Sequence, residues 1–417
     1  MRPPRDQPSK TLPEVVKRRR ALTHVGGEAD IVAESDELRN VVARALDVSD
    51  EDERVLAHVH GFHSYPARLH AETAKTLIEA LSSRGDSVLD PFCGSGTVPV
   101  VARELGRRAF GSDLNPLAVE LARLKAAGMS ESFARALVAA SARVVEHARA
   151  RQEAELGPTH PYGAEDRKEF ATHVLLALDG LRDGIDEIEE RGVRHALLLV
   201  LSACLTKLSE KKADSSSVHQ PKRIARSFPF RFFALKTEDL ARRALEFTAR
   251  VPARTPAAEL EICDARRLAY LPSKRVKLVV SSPPYPGVYD YFEHHATRLR
   301  WLRLDGTRLE QGEIGTRRAA RRDAARAAGE WEADFGRCLV ELRRVLTQDG
   351  LAALMLADSV IGARPYYADE WLPRVAKHER VAIVGRGSQA RPHFHAPTAR
   401  AFQRRPRREH LFILAPR

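Results

Sequence analysis

Apolar positions recur with two different spacings along the first third of the chain. From Ala71 to Leu81 they repeat every three or four residues, which predicts a helix. The stretch SVLDPF then predicts a short buried strand ending in a Gly-rich turn, and TVPVVARELG predicts a helix closed by Gly106. A second strand, RRAFGSDL, precedes a helix with Pro116 in its first turn. This alternation predicts the start of a doubly wound parallel sheet.

The alternation is interrupted over residues 130–255, where several segments have helical periodicity. The basic, Ser-rich stretch that ends in RSFPFRFF predicts a loop. Its phenylalanines either contact nucleic-acid bases or anchor the loop on the core. Strand-like runs resume with LEICDAR and VKLVVSSPPY and continue to HLFILAP. The whole pattern predicts an α/β fold, a doubly wound, mostly parallel sheet of seven strands with a helical insertion.

The same pattern predicts three regions. Residues 1–54 are polar and basic and are expected to form an N-terminal extension. Residues 55–129 and 256–417 carry the alternation of strands and helices, and residues 130–255 form the insertion. We expect target recognition either in the insertion or in the basic segment Arg317–Arg326.

Composition narrows the class of protein. The 417 residues carry a formal net charge of +12, which favours a polyanionic partner such as a nucleic acid. The four cysteines are scattered without a C-x-x-C pair, so no zinc site or other metal site and no disulfide framework is predicted, and a reducing cytoplasm fits. The most apolar stretch, Ala196–Leu205, is too short to span a bilayer, and the N-terminus lacks the apolar core of a signal peptide. We therefore expect a cytoplasmic protein without membrane contact.

Two acidic residues lie where parallel strands end. The motif DPFCGSGT begins at Asp90, and its glycines let the backbone approach a ligand closely. It lacks both the Gly-Lys-Ser/Thr ending of a phosphate-binding P-loop and the spacing G-x-G-x-x-G. Asp113 follows the second strand, where an acid can accept hydrogen bonds from ribose hydroxyls; the alternative is that it only caps the helix that begins at Pro116.

The tetrapeptide SPPY follows another buried strand. Its prolines fix a rigid extended turn and remove backbone donors, which leaves carbonyl groups and the Ser282 hydroxyl as acceptors. Tyr285 offers a ring face for stacking. Acceptors that bind both hydrogens of an exocyclic amine favour a more nucleophilic nitrogen, so the motif suits methylation of a base amine.

Together these motifs resemble those of the DNA amino-methyltransferases, which make N4-methylcytosine or N6-methyladenine. The resemblance implies a Rossmann-like methyltransferase sheet with S-adenosyl-L-methionine as the cofactor. It implies that the catalytic residues are Ser282, Pro283, Pro284 and Tyr285. The residues that it assigns to cofactor binding, which include the family's motif upstream of DPFxGxGT, are Phe62, Tyr65, Pro66, Asp90, Pro91, Phe92, Gly94, Gly96, Thr97, Asp113, Leu114, Asn115, Asp264 and Ala265.

The resemblance also addresses the substrate. Serine at position 282 resembles the N4-cytosine group, whereas adenine enzymes usually carry Asp or Asn there. The partner implied is duplex DNA with the target base flipped out. Methyltransferases of guanosine N2 in tRNA have similar motifs, so RNA is the alternative partner. Restriction-modification, phage defence and regulation are the roles that the sequence leaves open. Any cleavage would require a separate nuclease partner, because the sequence shows no nuclease motif.

Overall fold

The computed structural model describes residues 28–48, 57–211, 219–391 and 396–416. Most of the predicted N-terminal extension therefore lies outside the described residues. In the described ranges, eight strands form one sheet and two more form a small hairpin. The strands are β1 (Asp30–Ala33), β2 (Ser87–Asp90), β3 (Arg108–Asp113), β4 (Glu259–Ile262), β5 (Val276–Ser281), β6 (Leu346–Ala357), β7 (Ser359–Ile361), β8 (Arg364–Tyr366), β9 (Val381–Ala390) and β10 (Arg408–Pro416).

The sheet has the order β1-β9-β10-β6-β5-β2-β3-β4. Strands β4, β3, β2, β5 and β6 are parallel, while β10 pairs antiparallel with both β6 and β9. The chain leaves β2 toward one edge through β3 and β4, and then continues on the other side of β2 with β5. The point between β2 and β5 is therefore a topological switch point, where doubly wound sheets bind ligands at the carboxyl ends of their strands.

The central strands consist of nearly continuous apolar residues because helices cover both faces of the sheet. Neighbouring residues of β2 point to opposite faces, so Val88 packs in one hydrophobic cluster and Leu89 in another. The helices are α1 (Asp36–Leu46), α2 (Ala71–Leu81), α3 (Thr97–Glu104), α4 (Pro116–Ala127), α5 (Glu131–Glu153), α6 (Ala164–Glu169), α7 (Thr172–Asp186), α8 (Arg191–Leu208), α9 (Phe228–Arg250), α10 (Tyr291–Leu302), α11 (Thr307–Gly312), α12 (Arg317–Arg322), α13 (Ala324–Val345), α14 (Ala368–His378) and α15 (Ala396–Ala401). Helices α1 to α3 cover the face of Val88, and α13 and α14 cover the face of Leu89.

Helices α5 to α9 occupy the region predicted as an insertion. The buried apolar residues of α5, α7, α8 and α9 form one hydrophobic cluster with Leu117 and Leu121 of α4, so these four helices pack directly on the sheet's own helical layer. The division of the chain into separate domains stays a prediction. None of the helices in the described ranges is both long and apolar enough to cross a membrane.

Helix α9 differs from the sequence-based expectation, which had a loop through its first turns. Phe230 and Phe233 are buried in the cluster shared with α4, and Phe228 and Phe232 stack on each other at the edge of that cluster. The phenylalanines therefore anchor the segment on the core. Pro229 in the first turn is compatible with a helix start, because proline lacks only an N–H group that has no partner there.

The sheet also has one strand more than the predicted seven. Residues 30–46, expected in the polar extension, add β1 to the edge of the sheet and cover it with α1. Gly387 of β9 permits this packing, because a Cβ atom there would lie 2.4 Å from Val42 Cγ1 and 2.5 Å from Leu46 Cδ1. The class of fold is as predicted, and the eighth strand extends it.

Candidate functional site

The Gly-rich turn that follows β2 is held by carboxylates on both sides. Asp90 accepts hydrogen bonds from the Phe92 amide at 3.1 Å and from the Ser281 hydroxyl at 2.6 Å. Burial raises the pKa of Asp90 to about 7. Because Ser281 ends β5 and directly precedes SPPY, this bond joins the predicted cofactor motif to the predicted catalytic motif across the switch point.

Asp113, at the end of β3, fixes the same turn from the other side. Its carboxylate accepts hydrogen bonds from the amides of Gly94 and Asn115, each at 2.9 Å. Burial raises its pKa to about 6. The capping alternative is only partly right, since the residue that caps α4 is Asn115, whose side chain accepts a hydrogen bond from the Leu117 amide.

Gly96 closes the turn and begins α3 in a left-handed conformation with φ of 89°. A Cβ atom at this position would lie 2.8 Å from Ala122 Cα, so α4 can approach the turn only because position 96 is glycine. The turn is therefore held rigidly against both α3 and α4.

A cavity opens at this edge of the sheet, with about 660 Å³ of space that includes its opening to solvent. The carboxyl ends of β2, β3, β4 and β5 all reach it. Eleven of the predicted site residues line it, namely Tyr65, Pro66, Pro91, Phe92, Gly94, Asp113, Leu114, Asp264, Ala265, Ser282 and Pro284. Residues far apart in sequence are thus brought to one surface.

The other predicted site residues lie behind this surface. Asp90, Gly96, Thr97 and Asn115 support the turn, and Pro283 is buried. Phe62 packs in the core, with the Lys236 ammonium 5.3 Å from its ring centroid. These predicted site residues can therefore act on a ligand in the cavity only through their backbone atoms or through the residues that they position.

Tyr285 also differs from its expected position. It is 7% exposed and does not line the cavity. Its hydroxyl donates to Glu409 Oε1 at 2.9 Å, and the Arg391 guanidinium lies 5.5 Å from its ring centroid. The ring face expected to stack on a base is therefore not at the cavity surface in this structure. The rings that reach the surface belong to Tyr65, Phe92 and Tyr291.

Asp264 follows β4 and lines the cavity close to Arg266. The guanidinium of Arg266 donates to both carboxylate oxygens of Asp264, at distances of 2.6 to 3.1 Å, and to Asp334 at 3.0 Å. The backbone amide of Arg266 also donates to Asp264 Oδ1, at 2.8 Å, so three N–H groups of Arg266 donate to this carboxylate. Two carboxylate oxygens offer about four acceptor positions, which leaves about one for a ligand amine.

Several cavity residues were not predicted from the sequence. Glu313 accepts hydrogen bonds from the amides of Tyr291 and Phe292 and so caps the start of α10. Burial raises the pKa of Glu313 to about 7. The complete set of unpredicted lining residues is Ala67, Cys263, Tyr291, Leu309, Gly312, Glu313 and Ile314. Tyr291 follows closely after SPPY in the sequence, whereas no sequence motif marks Glu313, which reaches the cavity through tertiary packing.

Known proteins resemble short segments of the chain. Type II methyltransferases of Methanocaldococcus jannaschii, Haemophilus parainfluenzae and Citrobacter freundii are 35%, 37% and 45% identical over 81, 71 and 56 residues. These segments cover 19%, 16% and 13% of this chain. The chain spans only 15%, 23% and 19% of the relatives' own lengths.

Among solved structures, an rRNA methyltransferase of Streptomyces viridochromogenes aligns over 90% of this chain and 96% of its own, with 14% identity and a TM-score of 0.35. Similarity this low carries no information on function. Residues 34–124, which hold α1, α2 and the Gly-rich turn, match the N6/N4 methyltransferase family model described as DNA methylase. Over residues 34–124 the chain is therefore similar to the N6/N4 DNA methylases.

Proposed function

We propose that the protein transfers a methyl group from S-adenosyl-L-methionine to an exocyclic amine of a base in DNA. The observation that carries this proposal is that Ser282 and Pro284 line the same cavity as Asp113 and Asp264. A cofactor held by the two acids would therefore share one cavity with a base held by the SPPY motif.

The residues present fit this cofactor. The turn from Asp90 to Thr97 would hold the methionine part, with the Gly-rich backbone close to the ligand. Asp113 would accept hydrogen bonds from the ribose hydroxyls, and Asp264 would accept one from the adenine amine. The aromatic ring of Phe92 at the cavity surface offers apolar contact for the adenine.

The chemistry that we assign to the SPPY motif is positioning. The Ser282 hydroxyl and the Pro283 carbonyl would accept the two hydrogens of the amine and aim its lone pair at the methyl carbon. When bound, S-adenosyl-L-methionine would supply the methyl group: the nitrogen–carbon bond would form as the carbon–sulfur bond breaks, and the electron pair of that bond would stay on sulfur. The positive charge would pass to the nitrogen, which would then lose a proton to water. No covalent intermediate with the protein is required.

We further propose that the base is cytosine, methylated at N4, because a serine precedes the two prolines. The alternative is adenine N6. A base amine inside a duplex is paired and stacked, so the base would be flipped into the cavity. The net charge of +12 supports a polyanionic partner.

A radiolabelled methyl donor tests the proposal. We expect label in unmethylated duplex DNA and loss of the label in the Ser282→Ala variant. Label in unmodified tRNA or rRNA, with none in DNA, would reassign the substrate to RNA. Absence of label in every nucleic acid would contradict the proposal.

A further inference from the structure

Three polar side chains form a line behind the cavity surface. Ser282 Oγ lies 3.3 Å from the Tyr285 hydroxyl, which lies 2.9 Å from Glu409 Oε1. Tyr285 is buried and Glu409, in β10, is 0% exposed. Ser282 is half-buried and reaches the cavity. The line therefore runs from the proposed amine site into the sheet.

The chemistry of the three groups fixes the direction of each hydrogen bond. The Glu409 carboxylate, which is paired with Arg391, only accepts hydrogen bonds. Tyr285 has one hydroxyl hydrogen and donates it to Glu409. The bond between Ser282 and Tyr285 can then form only if Ser282 is the donor. The single hydroxyl hydrogen of Ser282 is thereby directed away from the cavity, and its lone pairs remain for a ligand.

We propose that Glu409 and Tyr285 are positioning residues that hold the Ser282 hydroxyl as an acceptor for the target amine. This inference rests on the proposed function. A serine hydroxyl without such partners can rotate and point its hydrogen at the amine nitrogen. That hydrogen would engage the lone pair that must attack the methyl carbon. The buried line from Ser282 to Glu409 removes this unproductive orientation.

The Tyr285→Phe variant tests the proposal with little change in packing, because it removes one hydroxyl and keeps the ring. We expect the single-turnover rate of methyl transfer to fall about tenfold, the value of one hydrogen bond. The dissociation constant of S-adenosyl-L-methionine, measured by calorimetry, should not change. The matched control is Tyr366→Phe, since the Tyr366 hydroxyl donates to Glu332 at 2.6 Å and neither residue lines the cavity. The control should keep the wild-type rate.

Two variants of Glu409 separate positioning from charge balance. The same oxygen, Oε1, accepts from Tyr285 and pairs with Arg391. A glutamine side-chain carbonyl can take the place of that oxygen, so Glu409→Gln should keep most of the rate, while Glu409→Leu should lose about tenfold. If Glu409 only neutralised Arg391, both variants would lose the rate alike. Thermal unfolding identifies a variant that fails to fold, in which case the Tyr285→Phe result decides.

The Ser282→Ala background shows whether Tyr285 acts through Ser282. We expect Tyr285→Phe to cause no further loss in that background, because the hydroxyl that it orients is gone. A Tyr285→Phe variant with the wild-type rate, beside an active wild-type protein, would overturn the positioning proposal and leave the proposed function intact. A wild-type protein that methylates no nucleic acid would overturn both.

Discussion

Asp113 carries the pH dependence that the structure predicts for cofactor binding. Its pKa is raised to about 6 by burial. In the proposed cofactor site, the carboxylate would accept hydrogen bonds from ribose hydroxyls above this pH, whereas the protonated acid below it would have lost acceptor capacity. We therefore expect the affinity for S-adenosyl-L-methionine to fall as the pH drops through about 6, by at most about tenfold per pH unit below it. Calorimetric titrations between about pH 5 and pH 8 measure this slope.

The Asp113→Asn variant is the control, because its amide has a similar shape and does not titrate. It should bind the cofactor about tenfold more weakly at high pH, with a flat profile. A slope that persists in this variant would contradict the assignment to Asp113 and point to Asp90 or Glu313, whose pKa values are both raised to about 7 by burial.

Ser282 tests the proposed chemical step. Replacing it by alanine removes an acceptor for the amine, so the rate of methyl transfer should fall about 100-fold, as when one preorganised hydrogen bond to a reacting group is lost. The affinity for the cofactor should stay within about twofold, because this variant leaves Asp113 and Asp264 unchanged. Rapid-quench kinetics and calorimetry on the same sample measure both. A variant with the wild-type rate would show that Ser282 does not take part.

At the scale of elements, the sequence predicted those strands, turns and helices that are determined by residues close together in the chain. The strand before DPFCGSGT, the turn and the helix beginning at Pro116 all follow from neighbours in sequence. The edge strand β1 is only four residues long and half exposed, so it has no apolar run to reveal it. The burial of Tyr285 was equally unpredictable, because it depends on Glu409 and Arg391, more than 100 residues away in sequence. Such contacts need the fold to be known first.

The packing of α1 on β9 makes Gly387 a sensitive position. In Gly387→Ala, the added methyl group would overlap Val42 and Leu46, so overpacking should destabilise the protein by about 1 to 3 kcal/mol. Thermal unfolding should show a lower midpoint. Gly157→Ala is the control, since no atom lies within 4 Å of a Cβ atom there. An unchanged midpoint for Gly387→Ala would contradict the described packing of α1.

Helix α12 presents a basic surface next to the site. Its residues Ala319 and Ala320 line a second cavity of about 390 Å³, which shares Glu313 with the first. Arg321 and Arg322 are exposed on this helix. If they contact DNA phosphates, replacing both with alanine should weaken DNA binding and reduce the slope of log affinity against log salt by about 0.9 per lost contact. Fluorescence anisotropy over a salt series measures the slope.

The matched control removes two exposed arginines of α5, Arg135 and Arg143. This control changes the net charge by the same amount, but on helix α5. An equal loss in both double variants would indicate only non-specific attraction to DNA. A larger loss of DNA affinity in the α5 variant would instead place the DNA contact in the predicted insertion, residues 130–255.

At the scale of the whole molecule, helices α8 and α10 support the site that the sheet provides. His63 Nε2 lies 3.0 Å from Ser202 Oγ in α8, and Arg298 of α10 donates to the Ser64 hydroxyl at 3.2 Å. The segment that carries Tyr65 and Pro66 to the cavity is thus held between the sheet and helices α8 and α10. The shape of the cavity therefore depends on the packing of these helices as well as on the sheet.

The most direct test of the central claim is the identity of the methylated product. The protein is incubated with S-adenosyl-L-methionine and either unmethylated DNA or unmodified tRNA and rRNA, and the digested nucleosides are analysed by mass spectrometry. N4-methylcytosine in DNA, absent in the Ser282→Ala reaction, is the predicted result. N6-methyladenine in DNA would keep the reaction and contradict the assignment of the base. A methylated nucleoside found only in RNA would contradict the central claim.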